Sequence, residues 1–257
     1  LPGAQSSASK RASIAVTLWQ QFLSVEIEFH SFGGQHIGAL TAFALCMLAT
    51  VWCIRHFDER QNLLFSRAVS IVLVITVVIF SAIKIYFDRF NLLIDLPISL
   101  CNLFSVLAPL LFWRPNQRRL EVIYYLVMAG TLQAMLTPDL YVGFPSNEFF
   151  KYWIVHGGLV VLVVHNIFAF QMYPRFKGVV ITFAWVNVYS VALYGLNLAM
   201  NANYFYLVSK PGNASILDLF GPWPLYILVA EMVAMVFFAL FYLPFMFIKK
   251  TDQPIRA

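Results

Sequence analysis

Apolar runs dominate this chain. Several of them, residues 178–201 and 223–247 among them, approach or exceed the ~20 residues a helix needs to cross the hydrocarbon core of a bilayer. Only 11% of the 257 residues are charged and 61% are hydrophobic; a soluble domain carries roughly 25% charged residues. Such a chain cannot cover its surface with charge, so lipid is its expected solvent. Lipid offers no partner to a backbone N–H or C=O, and each spanning segment must satisfy its own. The expected fold is therefore all-α, a polytopic membrane bundle.

Seven spans are expected, at residues 35–54, 67–87, 96–113, 119–137, 152–172, 178–201 and 223–247. Pro97 would sit in the first turn of the third, where proline is tolerated. Residues 1–12 are small and polar and read as a disordered tail or tag remnant. Residues 13–32 mix Trp19, Phe22 and Phe29 with Gln20, Glu26 and Glu28, which suits an amphipathic helix lying in the interface. The transmembrane domain then runs over 33–250, with 251–257 as a cytoplasmic tail.

Of the 17 Lys and Arg, 11 fall on the side holding the loops after spans one, three and five and the C-terminus, and 6 on the other. The excess places the C-terminus in the cytoplasm and the N-terminus outside. This is a multi-pass protein of the plasma membrane in a bacterium, or of an endomembrane in a eukaryote. The net charge of +5 is scattered over loop ends without a basic stripe, so it speaks for topology and not for nucleic acid. The outer loop 202–222 is half apolar and is expected to fold back over the helix mouths. It holds the sequon Asn213-Ala214-Ser215.

Polar groups inside a span are costly and face the bundle interior or a wet cavity. Here they gather in the outer half. Cys101, with Asn102 and Ser105, lies about one and a half turns into span three, and His156 about one turn into span five. Gly130, Gln133 and Thr137 lie near the outer end of span four. Asn187, Ser190, Tyr194, Asn197 and Asn201 follow helical spacing along span six. Glu231 lies two turns into span seven, and Gln35 and His36 open span one. A cavity open to headgroups on the outer side explains this crowding.

His165 lies nine residues beyond His156, nearly opposite on the helix and roughly 13 Å deeper. Of the two, His156 is the expected partner of Cys101. Cys46 and Cys53 have no polar company and read as packing residues. No CxxC or Cys/His metal spacing occurs, so neither a metal, a cofactor nor a disulfide framework is expected. Two functional classes remain open from the residues alone. One is catalysis at Cys101 and His156. The other is a small transporter or ligand-binding membrane protein that uses the stripe of span six and Glu231.

Three stretches carry a family resemblance: Leu96-Pro-Ile-Ser-Leu-Cys101-Asn-Leu, Tyr152-Trp-Ile-Val-His156 and Gly221-Pro-Trp-Pro-Leu-Tyr-Ile227. In order and spacing they resemble motifs of the TMEM164/YwaF family of seven-span membrane proteins. Tyr206-Leu-Val-Ser-Lys-Pro211 looks like its bacterial branch. The resemblance implies a cysteine-centred acyltransferase whose partners are membrane lipids: a phospholipid donor and a lysophospholipid-type acceptor. By motif it makes Cys101 the nucleophile and His156 the base. Asn102, Gln133, Asn197 and an N–H near the start of span three are candidate oxyanion donors, with Asn187, Tyr194, Glu231 and His36 as further supporting polar groups. Asn102 stands where animal members have a histidine, and Ser99 where bacterial relatives often have one.

Overall fold

The computed structural model describes residues 17–211 and 216–248. The expected tails at 1–12 and 251–257, Lys249, Lys250 and the sequon at Asn213 lie outside the described residues.

Each expected span corresponds to a helical rod. These are α1 (Gly34–His56), α2 (Glu59–Tyr86), α3 (Leu100–Phe112), α4, α5 (Asn147–Ala169), α6 (Phe176–Met200) and α7 (Leu225–Tyr242). The rod α4 has three parts: Gln117–Leu126, a π-helical turn at Val127–Thr131, and Leu132–Leu136. Five of the rods are long and apolar enough to cross a bilayer: α1, α2, α5, α6 and α7 with its extension to Phe245. The chain is a helical membrane protein.

Local chemistry moves several helix ends from their expected places. α2 begins eight residues early because Asp58 and Gln61 form a reciprocal capping box, so a charged turn still winds as helix. Ser146 accepts the Phe149 N–H and starts α5 five residues early. α3 starts late, at Leu100, so Pro97 is outside it. The Ile98 carbonyl takes the Tyr189 hydroxyl, and the Leu96 N–H donates to the Tyr204 hydroxyl at 3.1 Å. These side chains hold residues 96–98 in a turn. With 13 residues, α3 is only about 20 Å long. The expected interfacial helix is also shorter: residues 17–22 are helical, and residues 24–33 are not. Glu28 instead bridges to Val142 in the loop before α5.

α5 is the central post. It packs against α1, α2, α3 and α4, and half of its apolar window is buried, against 6% for α1. Gly158 lets α2 approach: a Cβ there would stand 2.8 Å from Leu73 Cδ2. Small residues serve this purpose between membrane helices. A buried polar seam also joins α2 to α5. His165 Nε2 meets Asn62 Oδ1 at 2.9 Å, and Asn166 Nδ2 donates to Ser66 Oγ at 2.9 Å.

The two ends of the bundle differ. At one end, called the mouth below, residues 202–211 fold back over the helices as expected. The Tyr204 hydroxyl donates to the Leu92 carbonyl at 2.6 Å, and the Tyr206 hydroxyl to Asp139 Oδ2 at 3.1 Å. At the far end, Arg175 grips Glu121 through two bonds of 2.5 and 3.0 Å, and Gln117 also donates to Glu121. Glu121 is only 2% exposed.

Candidate functional site

Cys101 is the second residue of α3, with Ser99 as N-cap, and not one and a half turns in as its sequence suggests. His156 is nine residues past the first residue of α5, not one turn past, or about 13 Å along the helix. The two corrections offset each other. The short α3 begins inside the bundle, below the start of α5, and this brings the thiol level with the imidazole. The Cys101 thiol and the His156 imidazole lie within electrostatic range of each other. Both residues are partly exposed, so the pair is not sealed in the core.

The imidazole is oriented. Nδ1 lies 2.7 Å from the Tyr152 carbonyl, one turn earlier on α5. A carbonyl only accepts, so neutral His156 carries its proton on Nδ1 and leaves the Nε2 lone pair free. The Tyr152 ring lies against the imidazole, with centroids 4.1 Å apart, and its hydroxyl donates to the Ala134 carbonyl at 2.6 Å. Tyr152 therefore fixes the histidine by backbone and by ring, and is itself fixed to α4.

Sequence reasoning did not single out Thr131. Its hydroxyl lies 3.3 Å from the Cys101 sulfur, and the residue is 2% exposed. It is the last residue of the π turn, which widens the helix locally; such turns are frequent at functional sites. The one available signal was Gly130 among the small and β-branched residues of span four. A second contribution comes from the backbone. Ser99 makes no side-chain cap, and the Ile98 carbonyl is engaged by Tyr189, so the N–H groups of Leu100, Cys101 and Asn102 have no carbonyl partner. Unpaired N–H groups at a helix start favour an anion.

The other expected site residues lie in different settings. His36 is fully buried: its Nδ1 accepts the Phe32 N–H and its Nε2 donates to the Met135 carbonyl, both at 2.9 Å. It ties α1 to α4. Asn197 holds both polar groups of Tyr204, N–H and carbonyl, at 2.8 Å and clamps the loop after α6. Asn187 donates to the Phe183 carbonyl of its own helix. Asn102, Gln133, Tyr194 and Glu231 are partly buried, and no side-chain hydrogen bond joins them to the Cys101–His156 pair. Two members of the stripe on α6, Asn187 and Asn197, are thus engaged locally. His165 lies in the seam with Asn62, away from the pair.

One large cavity does not contain the thiol. It is a groove of about 810 Å³ between α1, α2 and α5, lined by Ala42, Cys46, Phe65 and Trp153 among others. Its walls are almost wholly apolar and include neither Cys101 nor His156. Among the described residues, no three His, Cys, Asp or Glu side chains converge as a metal site.

Residues 31–242 match the model of the TMEM164 family. No curated protein and no solved structure matches the chain.

Proposed function

The chain belongs to the TMEM164 family, and from that premise we propose that it is an integral membrane acyltransferase. It moves an acyl chain from a phospholipid to a lysophospholipid through a thioester on Cys101. The observation that carries this reading is the orientation of His156: Nδ1 is committed to the Tyr152 carbonyl, which leaves Nε2 free on a ring within electrostatic range of the Cys101 thiol. A thiol is a poor nucleophile until a base takes its proton, and an imidazole in contact supplies one.

In the first half-reaction, the thiol proton passes to His156 Nε2 and the sulfur attacks the ester carbonyl carbon. The carbonyl oxygen becomes an oxyanion, which the Thr131 hydroxyl and the free N–H groups of the first turn of α3 stabilise. The C–O bond then breaks. The leaving lysolipid oxygen takes the proton from Nε2, and the acyl group remains on sulfur. In the second half-reaction, the hydroxyl of an acceptor lysolipid gives its proton to Nε2 and its oxygen attacks the thioester carbon. The thiolate leaves and recovers the proton. One ester is broken, one is formed, and no redox partner is required. In this reading the mouth faces the outer side of the membrane, which the Lys and Arg excess at the other end supports.

The test uses the purified chain in lipid nanodiscs with a phospholipid carrying a labelled acyl chain and an unlabelled lysophospholipid. Label should appear in the product diacyl lipid and, after an acid quench, on Cys101. Cys101→Ala and His156→Ala should each abolish transfer. Full activity in both variants would sink the reading.

A further inference from the structure

The groove between α1, α2 and α5 has no part in this mechanism. On α1 its wall runs from Gln35 to Cys53, about 27 Å at the rise of a helix. That is close to the ~30 Å thickness of a hydrocarbon core. The α1 side is built from small residues: Gly38, Ala39, Ala42, Cys46 and Ala49. Small residues in a membrane helix usually let a neighbour close up. Here no neighbour does so. A Cβ added at Gly38 would meet nothing within 4 Å, and Ala42, Cys46 and Ala49 are exposed. The glycines of α5 behave differently. A Cβ at Gly157 would stand 3.3 Å from Phe43, and one at Gly158 2.8 Å from Leu73. The small residues of α5 thus serve close packing, whereas those of α1 leave room.

The dimensions and the walls select the occupant. About 810 Å³ spread over about 27 Å gives a mean cross-section of about 30 Å². A helix ~10 Å across needs roughly 80 Å², so a helix of a second copy does not fit inside. An extended peptide is narrower, but it would carry unpaired N–H and C=O groups against walls that are almost wholly apolar. The segments outside the described residues also have the wrong composition: 1–16 carry Gln5, Lys10 and Arg11, and 249–257 carry Lys249, Lys250 and Asp252. A hydrocarbon chain has no polar group to satisfy and is slender enough. Bilayer lipids supply it, and the open side along α1 admits it laterally.

We propose that this groove is a binding site for one acyl chain of a bilayer lipid, held between α1 and α5 along the span. The site is separate from the thiol, since neither Cys101 nor His156 lines it. It stands on the membrane fold and does not require the acyl-transfer reading. Compared with bulk lipid the chain gains no hydrophobic free energy, because both surroundings are apolar. It gains fixed walls on several sides, and the dispersion contacts with them hold it. A chain seated there also completes the packing of α1, whose apolar window is only 6% buried.

The experiment uses the full chain carrying Cys101→Ala, so that no lipid is turned over and a failure of the thioester mechanism leaves the readout intact. It is placed in nanodiscs doped with a phosphatidylcholine whose acyl chain carries a photoactivatable diazirine at mid-chain. Irradiation should label Cys46, Trp153 and Val161 of the groove more heavily than Val188 and Val191, which are 63% and 73% exposed on α6. Ala42→Phe puts a ring into the groove. It should lower groove labelling roughly tenfold and leave α6 labelling unchanged. Should Ala42→Phe not fold, Gly38→Leu serves the same purpose, since its side chain builds into open space. Groove labelling no heavier than that of α6, or labelling that survives the filling of the groove, overturns the proposal. Cross-links between copies through Cys46 that are lost in Ala42→Phe would assign the groove to a second copy and likewise overturn it.

Discussion

The Thr131 hydroxyl lies 3.3 Å from the Cys101 sulfur, and a π turn in α4 carries it. Thr131→Val keeps the shape of the side chain and deletes the hydroxyl. If the hydroxyl serves the oxyanion, acyl transfer should fall roughly 10²-fold, the lower end for loss of one such donor. Thr131→Ser should keep most of the activity. A single-turnover assay that follows thioester formation on Cys101 separates this from an effect on lipid binding. A Val variant with wild-type acylation would remove Thr131 from the mechanism.

The Glu121–Arg175 pair makes an asymmetric prediction. Glu121 is buried, with a side chain 3% exposed, whereas that of Arg175 is 42% exposed. Arg175→Ala leaves a buried carboxylate with only Gln117 beside it, and the cost should approach the about 3–5 kcal/mol typical of a broken buried pair. Glu121→Gln leaves a guanidinium that water can reach, and should cost clearly less. Thermal unfolding of both variants in detergent checks the order, and equal losses would contradict it.

His165 belongs to the seam between α2 and α5 and not to the chemistry. His165→Ala leaves Asn62 Oδ1 without its partner in a fully buried setting, a cost of about 1–3 kcal/mol before any cavity is counted. Acyl transfer per folded molecule should be unchanged, because the residue is roughly 13 Å along α5 from His156. Melting temperature and active-fraction kinetics measured together decide the point. A selective loss of rate with intact stability would place His165 in the site.

The Tyr206–Asp139 bond predicts an alkaline signature. Burial, with Asp139 beside it, pushes the Tyr206 phenol up to about 12. An unfolded tyrosine titrates near 10. A phenol whose pKa is raised by folding contributes stability that is fully present below about 10 and is lost as pH rises through about 12. Tyr206→Phe should therefore lower stability at neutral pH and show a weaker alkaline decline than the wild type. Parallel pH-dependent melting curves with superimposable slopes would refute this.

Much of the site was legible because membrane solvent makes polar residues conspicuous. Cys101 and His156 stood out against apolar neighbours, and the nine-residue step to His165 separated the two histidines by helical geometry alone. Thr131 did not stand out, since a β-branched hydroxyl residue in a span is ordinary. His36 and Asn197 stood out misleadingly, since their hydrogen bonds go to the Met135 carbonyl and to Tyr204, each contributed by another segment. Glu121 escaped notice because it follows two arginines at a helix start and reads as a solvated charge, yet it is buried by its pairing with Arg175.

By itself the sequence determined that this is a helical membrane protein and roughly where its helices run. Those properties follow from local rules: lipid excludes charge and unpaired backbone, and a helix repeats every 3.6 residues. Only the tertiary structure decided where α3 begins, that a π turn brings Thr131 to the sulfur, and which polar groups are already occupied. Each of these depends on partners far along the chain. Tyr189 engages Ile98, Thr131 meets Cys101, and Ala134 holds the Tyr152 that orients His156. A hydrogen bond between distant segments has no periodicity to betray it, so the surroundings of Cys101 are set only once the bundle has closed around it.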